Sequence, residues 1–254
     1  RIVVYLRRQD LMIDSEYNQV VKGGQSPLRT KPFEDFLATY LRKKRDQYAP
    51  VIARWAEVFG PEAMVVRPYE RSQFHGGSIF ADFFHHGLGR ELDDSLQLPT
   101  LDPNARLHRA VLEYKRLLNH LPLSEAENEA LRKPLQIASQ QMKELLPDYP
   151  QLSPAKAREV LEGCHASNCE LAQRYPGVEG ELLFTNPLPD PDAPWERYER
   201  LLPEHVAVIH RLLAEKHPEI CGWILQKLDA AADHGLSDTE ADLLRTGSGS
   251  AHHS

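Results

Sequence analysis

The chain has 254 residues, of which 41% are hydrophobic and 26% charged, with a formal charge of -7 and a mean hydropathy of -0.49. That length is enough for one substantial core, and no stretch approaches the roughly 18 apolar residues of a membrane span. The acidic balance argues against nucleic acid as a partner, because phosphate-backbone binding calls for a broad basic face. Three cysteines, Cys164, Cys169 and Cys221, are too few and too unevenly spaced for a disulfide framework or a paired zinc site, which points to a reducing, cytoplasmic compartment.

Arg1-Ile2-Val3-Val4-Tyr5-Leu6 reads as a buried β-strand with no leader before it, so a fragment of a longer protein is the expectation. From Leu11 to Lys22 the residues Met12, Ile13, Tyr17, Val20 and Val21 recur at helical spacing, and Gly23-Gly24 ends the run. Two further helices are predicted over about 32–45 and 48–59, stopped by Gly60-Pro61. Ala63 to Arg67 has the length and apolarity of a second strand, which Pro68 discourages from continuing, and a helical crossover to it implies parallel pairing. Ser78 is placed to cap a helix with the apolar stripe Ile79, Phe80, Phe83 and Phe84, ending at Gly87 and Gly89.

Beyond Leu92 the pattern is helical. Ser124 with Glu127 and Ser237 with Glu240 form capping boxes, and Ser153-Pro154 combines a cap with a first-turn proline. Another helix is predicted over about 204–217. The proline-rich stretch from Pro176 to Ala193 is predicted to be an irregular connection over the surface. Residues 247–254 have the composition of a flexible tail and are left out of the functional reading.

The chemistry concentrates just after the first strand. An arginine at the carboxyl end of a buried strand, followed by a helix, sits where open α/β sheets bind anions. Its guanidinium can clasp a phosphate through two parallel charge-assisted hydrogen bonds, and a hydroxyl eight residues later can donate a third. Arg7 and Ser15 have that spacing.

The surrounding residues carry a resemblance. Tyr5-Leu6-Arg7-Arg8-Gln9-Asp10, Ser15 and Tyr17-Asn18-Gln19 are followed in order by Trp55, Phe59-Gly60, Arg67-Pro68-Tyr69-Glu70 and Asp82-Phe83-Phe84. This series resembles the bacterial and carbohydrate-type sulfotransferases, most clearly over residues 1–90. Asn104 before Arg106-Leu107, Ser167-Asn168, the run Leu171 to Tyr175 and Leu183-Phe184 look like the helical half of the same group. The resemblance implies a P-loop-kinase-like α/β fold: a parallel sheet remnant with a predominantly helical C-terminal part. It implies one domain over 1–246, divided into a donor-binding part at 1–90 and a helical part at 91–246. It also implies that Arg7 and Ser15 bind the 3′-phosphate of 3′-phosphoadenosine 5′-phosphosulfate, whose sulfonate passes to a hydroxyl acceptor, a saccharide being the candidate.

Such enzymes cradle the 5′-phosphosulfate in a small-residue loop that precedes the arginine strand, and their general base commonly lies there too. Neither has a counterpart here, so the chain is expected to be catalytically incomplete, and no catalytic residue is assigned. The alternative is a non-catalytic helical interaction or glycan-binding domain. A phosphotransferase is disfavoured, because no Gly-x-x-x-x-Gly-Lys-Ser/Thr occurs.

Other candidates have plainer readings. Arg8 can share the anion or pair with Asp10 or Asp14, the ion pair being favoured. Asn18, Gln19 and Lys22 read as a solvated face or as nucleotide contacts. Arg67 and Glu70 read as a border of the donor pocket or as an ion pair at the strand end. The basic run Arg42 to Arg45 can attract an anionic glycan or be solvated surface, the latter being favoured. Cys164, Cys169 and His165 read as idle groups, and His85-His86, His205 and His210 as packing or surface residues, so no metal is expected.

Overall fold

The computed structural model describes residues 1–93, 96–98, 105–230 and 235–246. Asn104 and the tail 247–254 lie outside them. The described chain is mostly helical with one small parallel sheet, an α/β arrangement. It divides into two units, Arg1–Asp14 with Leu37–Asp102 and Leu152–Trp195, and Ser15–Phe36 with Pro103–Gln151 and Glu196–Ser254. No described helix is long and apolar enough to cross a membrane.

The first unit contains the sheet. Strand β1 (Ile2–Leu6) pairs in parallel with β2 (Met64–Pro68), in a register that sets Tyr5 beside Arg67 and Leu6 beside Pro68. Pro68 therefore ends the second strand from inside it. The crossover contains α1 (Gln9–Gly23), α2 (Phe33–Arg42) and α3 (Ala49–Phe59), and Gly60 at φ 85° closes the last of these. Every residue of β2 is buried, whereas Ile2 to Tyr5 of β1 are half-buried.

One face of this sheet is covered by two helices. Ala49, Ile52 and Ala56 of α3, which recur at helical spacing, and Leu171 and Ala172 of α7 (Pro154–Arg174) pack with Leu6, Met64 and Val66. Helix α7 begins as its sequence dictates, with Ser153 accepting from the Lys156 N–H and Pro154 in the first turn.

The stretch after α7 runs largely over the surface, as predicted, but it also makes a contact that the prediction did not include. Although irregular and largely exposed, it is tied to β2: the Val66 N–H donates to the Pro176 carbonyl at 2.8 Å, and Leu183 enters the core. The exposed edge of β2 needed a hydrogen-bonding partner, and no apolar periodicity advertised one. Gly177 makes the approach possible, with φ 109° and a position where a Cβ would lie 2.5 Å from the Val66 carbonyl oxygen.

After β2, α4 (Ile79–Asp82) is capped by Ser78, as predicted, and runs directly into one π-helical turn, Phe83–Leu88, ended by Gly89 in the left-handed region.

The second unit is helical: α5 (Arg109–Leu118), α6 (Glu125–Leu145), α8 (Pro203–Lys216), α9 (Pro218–Ala230) and α10 (Asp238–Thr246). Both capping boxes form, Ser124 with Glu127 and Ser237 with Glu240. Buried Val111, Tyr114 and Leu118 of α5, Leu131 and Leu135 of α6 and Val206, Ile209 and Leu213 of α8 supply its core.

Gly177→Ala should lower the stability of the sheet unit by about 2 kcal/mol or more, since it adds left-handed strain to a backbone clash. The midpoint of urea unfolding, followed by circular dichroism, measures the loss.

Candidate functional site

Parallel pairing brings the carboxyl ends of β1 and β2 to the same edge. Arg7 and Arg8 leave one strand there, Tyr69 and Glu70 the other, and the Tyr69 N–H donates to the Leu6 carbonyl at 2.6 Å. The Arg7 backbone carbonyl accepts from the Tyr48 hydroxyl at 2.8 Å, which fixes the chain as it leaves the strand. The half-buried Arg7 guanidinium carbon lies 4.8 Å from the centre of the Tyr69 ring. Among the described residues no carboxylate pairs with it. A ring contact of this kind adds cation–π attraction and uses up none of the five N–H donors.

Arg8 differs in each respect. Its Nε and Nη2 donate to the two oxygens of Asp10 at 2.9 and 2.8 Å, and its Nη1 donates to the Pro187 carbonyl at 2.9 Å. The ion pair favoured for Arg8 therefore forms, and it leaves Arg7 as the unneutralised cation of the strand edge.

Behind this edge is a buried polar network. Arg67 and Asp82, 2% and 0% exposed, form a two-pronged pair with Nε to Oδ1 at 3.0 Å and Nη2 to Oδ2 at 2.5 Å. Asp82 also accepts from the Tyr5 hydroxyl at 2.6 Å and the His75 N–H at 2.9 Å, while Arg67 donates to the carbonyls of Gln73 and Gly177. Burial alone would raise the Asp82 carboxyl, but the hydrogen bonds from Arg67, Tyr5 and the His75 backbone outweigh it and hold it below the ordinary range.

Glu70 is also acceptor to several donors. It receives the N–H groups of Thr185 and Asn186 at 2.8 and 3.1 Å, the Thr185 hydroxyl at 2.9 Å and the Gln73 amide at 2.7 Å. Burial opposes its ionisation, and these donors again win. Arg67 and Glu70 thus serve the architecture with separate partners: they do not pair with each other.

Ser15 is half-buried on the second turn of α1 and is counted with the second unit, whereas Arg7 belongs to the first. Other polar residues of α1 have structural work. Gln9 and Asn168 exchange amide hydrogen bonds at 2.7 and 3.1 Å while buried. Asn18, 2% exposed, binds the carbonyl and N–H of Leu107 at 3.2 Å each, so it is not part of a solvated face. Lys22 donates to the Ala105 carbonyl, and Gln19 is exposed. Arg42 to Arg45 are exposed, as predicted. His205 bonds Tyr198, and buried His210 bonds the Tyr114 hydroxyl at 2.9 Å, both packing roles. Burial pushes the Cys164 thiol up to about 12, so it is inert, and Cys169 lies 3.6 Å from His165.

One group escaped the sequence reading. His75, His85 and Glu91 converge, although spacings of ten and six residues match no metal motif and a π turn shifts the register of the histidine pair.

No known family profile and no solved structure matches this chain. An uncharacterized protein of Archaeoglobus fulgidus is 25% identical to it over 221 residues, which is 87% of this chain and 56% of that protein. The chain therefore spans about half the length of that relative.

A carboxyl held below its unfolded pKa contributes stability above that value, about 3.9 for Asp, and the contribution disappears as pH falls through the folded pKa. Asp82→Asn should cost about 3–5 kcal/mol near neutral pH, because it leaves the Arg67 charge buried and uncompensated. Urea midpoints followed from neutral pH into acid should show the Asp82-linked part of the acid-side fall in the native chain and not in the variant.

Proposed function

We propose that this chain is the donor-binding part of a sulfotransferase, in which Arg7 clasps the 3′-phosphate of 3′-phosphoadenosine 5′-phosphosulfate. The observation that carries the reading is the Arg7 guanidinium at the carboxyl edge of a parallel strand pair, free of any carboxylate among the described residues while Arg8 beside it is paired. In open α/β sheets this edge is where anionic ligands bind. The Tyr69 ring flanks the Arg7 guanidinium and the Tyr48 hydroxyl holds its backbone carbonyl, so part of the ordering needed for binding is already in place.

On this reading the two-stranded sheet belongs to a P-loop-kinase-like fold, and sulfonate passes to a hydroxyl that a saccharide can supply. The part of the reaction assigned to the described residues is anchoring the donor.

Calorimetric titration with adenosine 3′,5′-bisphosphate tests the reading. The native chain should bind, and Arg7→Ala should weaken binding at least about tenfold, as expected when a charge-assisted bond to a phosphate is lost. Arg7→Lys should recover only part of this, since an ammonium cannot make the two-pronged contact, and adenosine 5′-monophosphate should bind equally weakly to all three. Equal affinity of the native chain and Arg7→Ala for the bisphosphate would refute the assignment.

A further inference from the structure

His75, His85 and Glu91 lie in the first unit, apart from the residues used above, and each offers one ligand atom within 4.8 Å of the other two. Nε2 of His75 is 3.0 Å from Oε2 of Glu91, and Nδ1 of His85 is 2.7 Å from Oε1. The two imidazoles stack with ring centres 3.9 Å apart and planes 12° from parallel, so both nitrogens face one carboxylate. From the geometry we infer a binding site for a borderline divalent transition-metal ion such as Zn²⁺, with two histidines and one glutamate as ligands and the remaining position open to solvent.

Dimensions and chemistry agree with this ion class. Zinc bonds of about 2.0–2.2 Å to nitrogen and oxygen set tetrahedral ligand atoms about 3.3 Å apart. The present spacings, 2.7 and 3.0 Å from the histidine nitrogens to the two carboxylate oxygens and at most 4.8 Å among the three ligand atoms, bracket that value. Each neutral imidazole then keeps its proton on the other ring nitrogen, so the ion replaces two hydrogen bonds without leaving a charged ring. Imidazole and carboxylate together suit Zn²⁺ and its neighbours, whereas Mg²⁺ and Ca²⁺ take oxygen ligands.

The backbone holds the three ligands in place. The His75 N–H is bonded to buried Asp82, and glycines at φ 61° and 69° follow it. His85 sits on the π turn, a distortion that recurs at functional sites. The Gly89 N–H bonds the His85 carbonyl, and Gly89 in the left-handed region precedes Glu91, whose carboxylate reaches a nitrogen of each ring. The side chains are 37%, 43% and 69% exposed, so an ion can enter from solvent.

The test is calorimetry with ZnCl₂ on the metal-stripped full chain carrying His252→Ala and His253→Ala, which removes the adjacent histidines of the tail. One equivalent should bind. His75→Ala and His85→Ala should each weaken binding about 100-fold or more, beyond the 10–100-fold typical of a lost supporting residue. Glu91→Gln should also weaken it, while His86→Ala stays within a few-fold, and Mg²⁺ and Ca²⁺ should not bind. Circular dichroism establishes that the exposed-residue variants are folded, and Co²⁺ substitution should give visible d–d bands that disappear in His85→Ala. No zinc binding, or binding that survives in both His75→Ala and His85→Ala, would overturn the site and identify the cluster as a surface hydrogen-bonded triad. Neither result bears on the nucleotide titration.

Discussion

The sheet unit depends on the two-pronged pair between Arg67 and Asp82. Two strands bury too little to stand alone, and here a single carboxylate on α4 gathers the tyrosine of β1, the arginine of β2 and a backbone N–H of the turn between β2 and α4. The same arginine reaches the Gly177 carbonyl and so fastens the irregular chain that covers the open edge of β2. Breaking such a pair is costly because removing one partner leaves a buried charge without compensation. The network also fixes both ends of the histidine loop, since His75 leaves from Asp82 through its own N–H and the π turn begins at the next residue after Asp82.

At the carboxyl edge, chemistry is decided by which charges are already spoken for. Arg8, Arg67, Glu70 and Asp82 each have opposite charges or several hydrogen-bond partners, so they shape the edge without remaining available to a ligand. Arg7 has an aromatic ring and a tethered backbone instead. Adjacent arginines in one dipeptide thus hold different roles, and the difference comes from Asp10, two residues after Arg8 and turned towards it by the first turn of α1.

Much of this architecture can be read locally. Ser78, Ser124, Ser153 and Ser237 each cap the helix they were expected to cap, because a cap is a contact within three residues and its signal is contained in the sequence around it. The parallel pairing followed from two apolar runs joined by helices. The covering of β2 by Pro176 and Leu183 was not legible, since a long-range contact made by an aperiodic segment leaves no pattern. Asn18 shows the same limit: its amide fills the hydrogen-bonding needs of Leu107, 89 residues away, where spacing alone made it a surface residue.

The sequence by itself determined the order of strands and helices over about the first ninety residues, the α/β class and Arg7 as a cation at the end of a strand, because apolar periodicity and capping chemistry act over a few residues. Tertiary structure decided which charges are neutralised, what closes the sheet edge and which histidines meet, because each depends on chain segments far apart in sequence. A π turn and a left-handed glycine bring His75, His85 and Glu91 together, and neither backbone feature is encoded in a ligand-spacing motif.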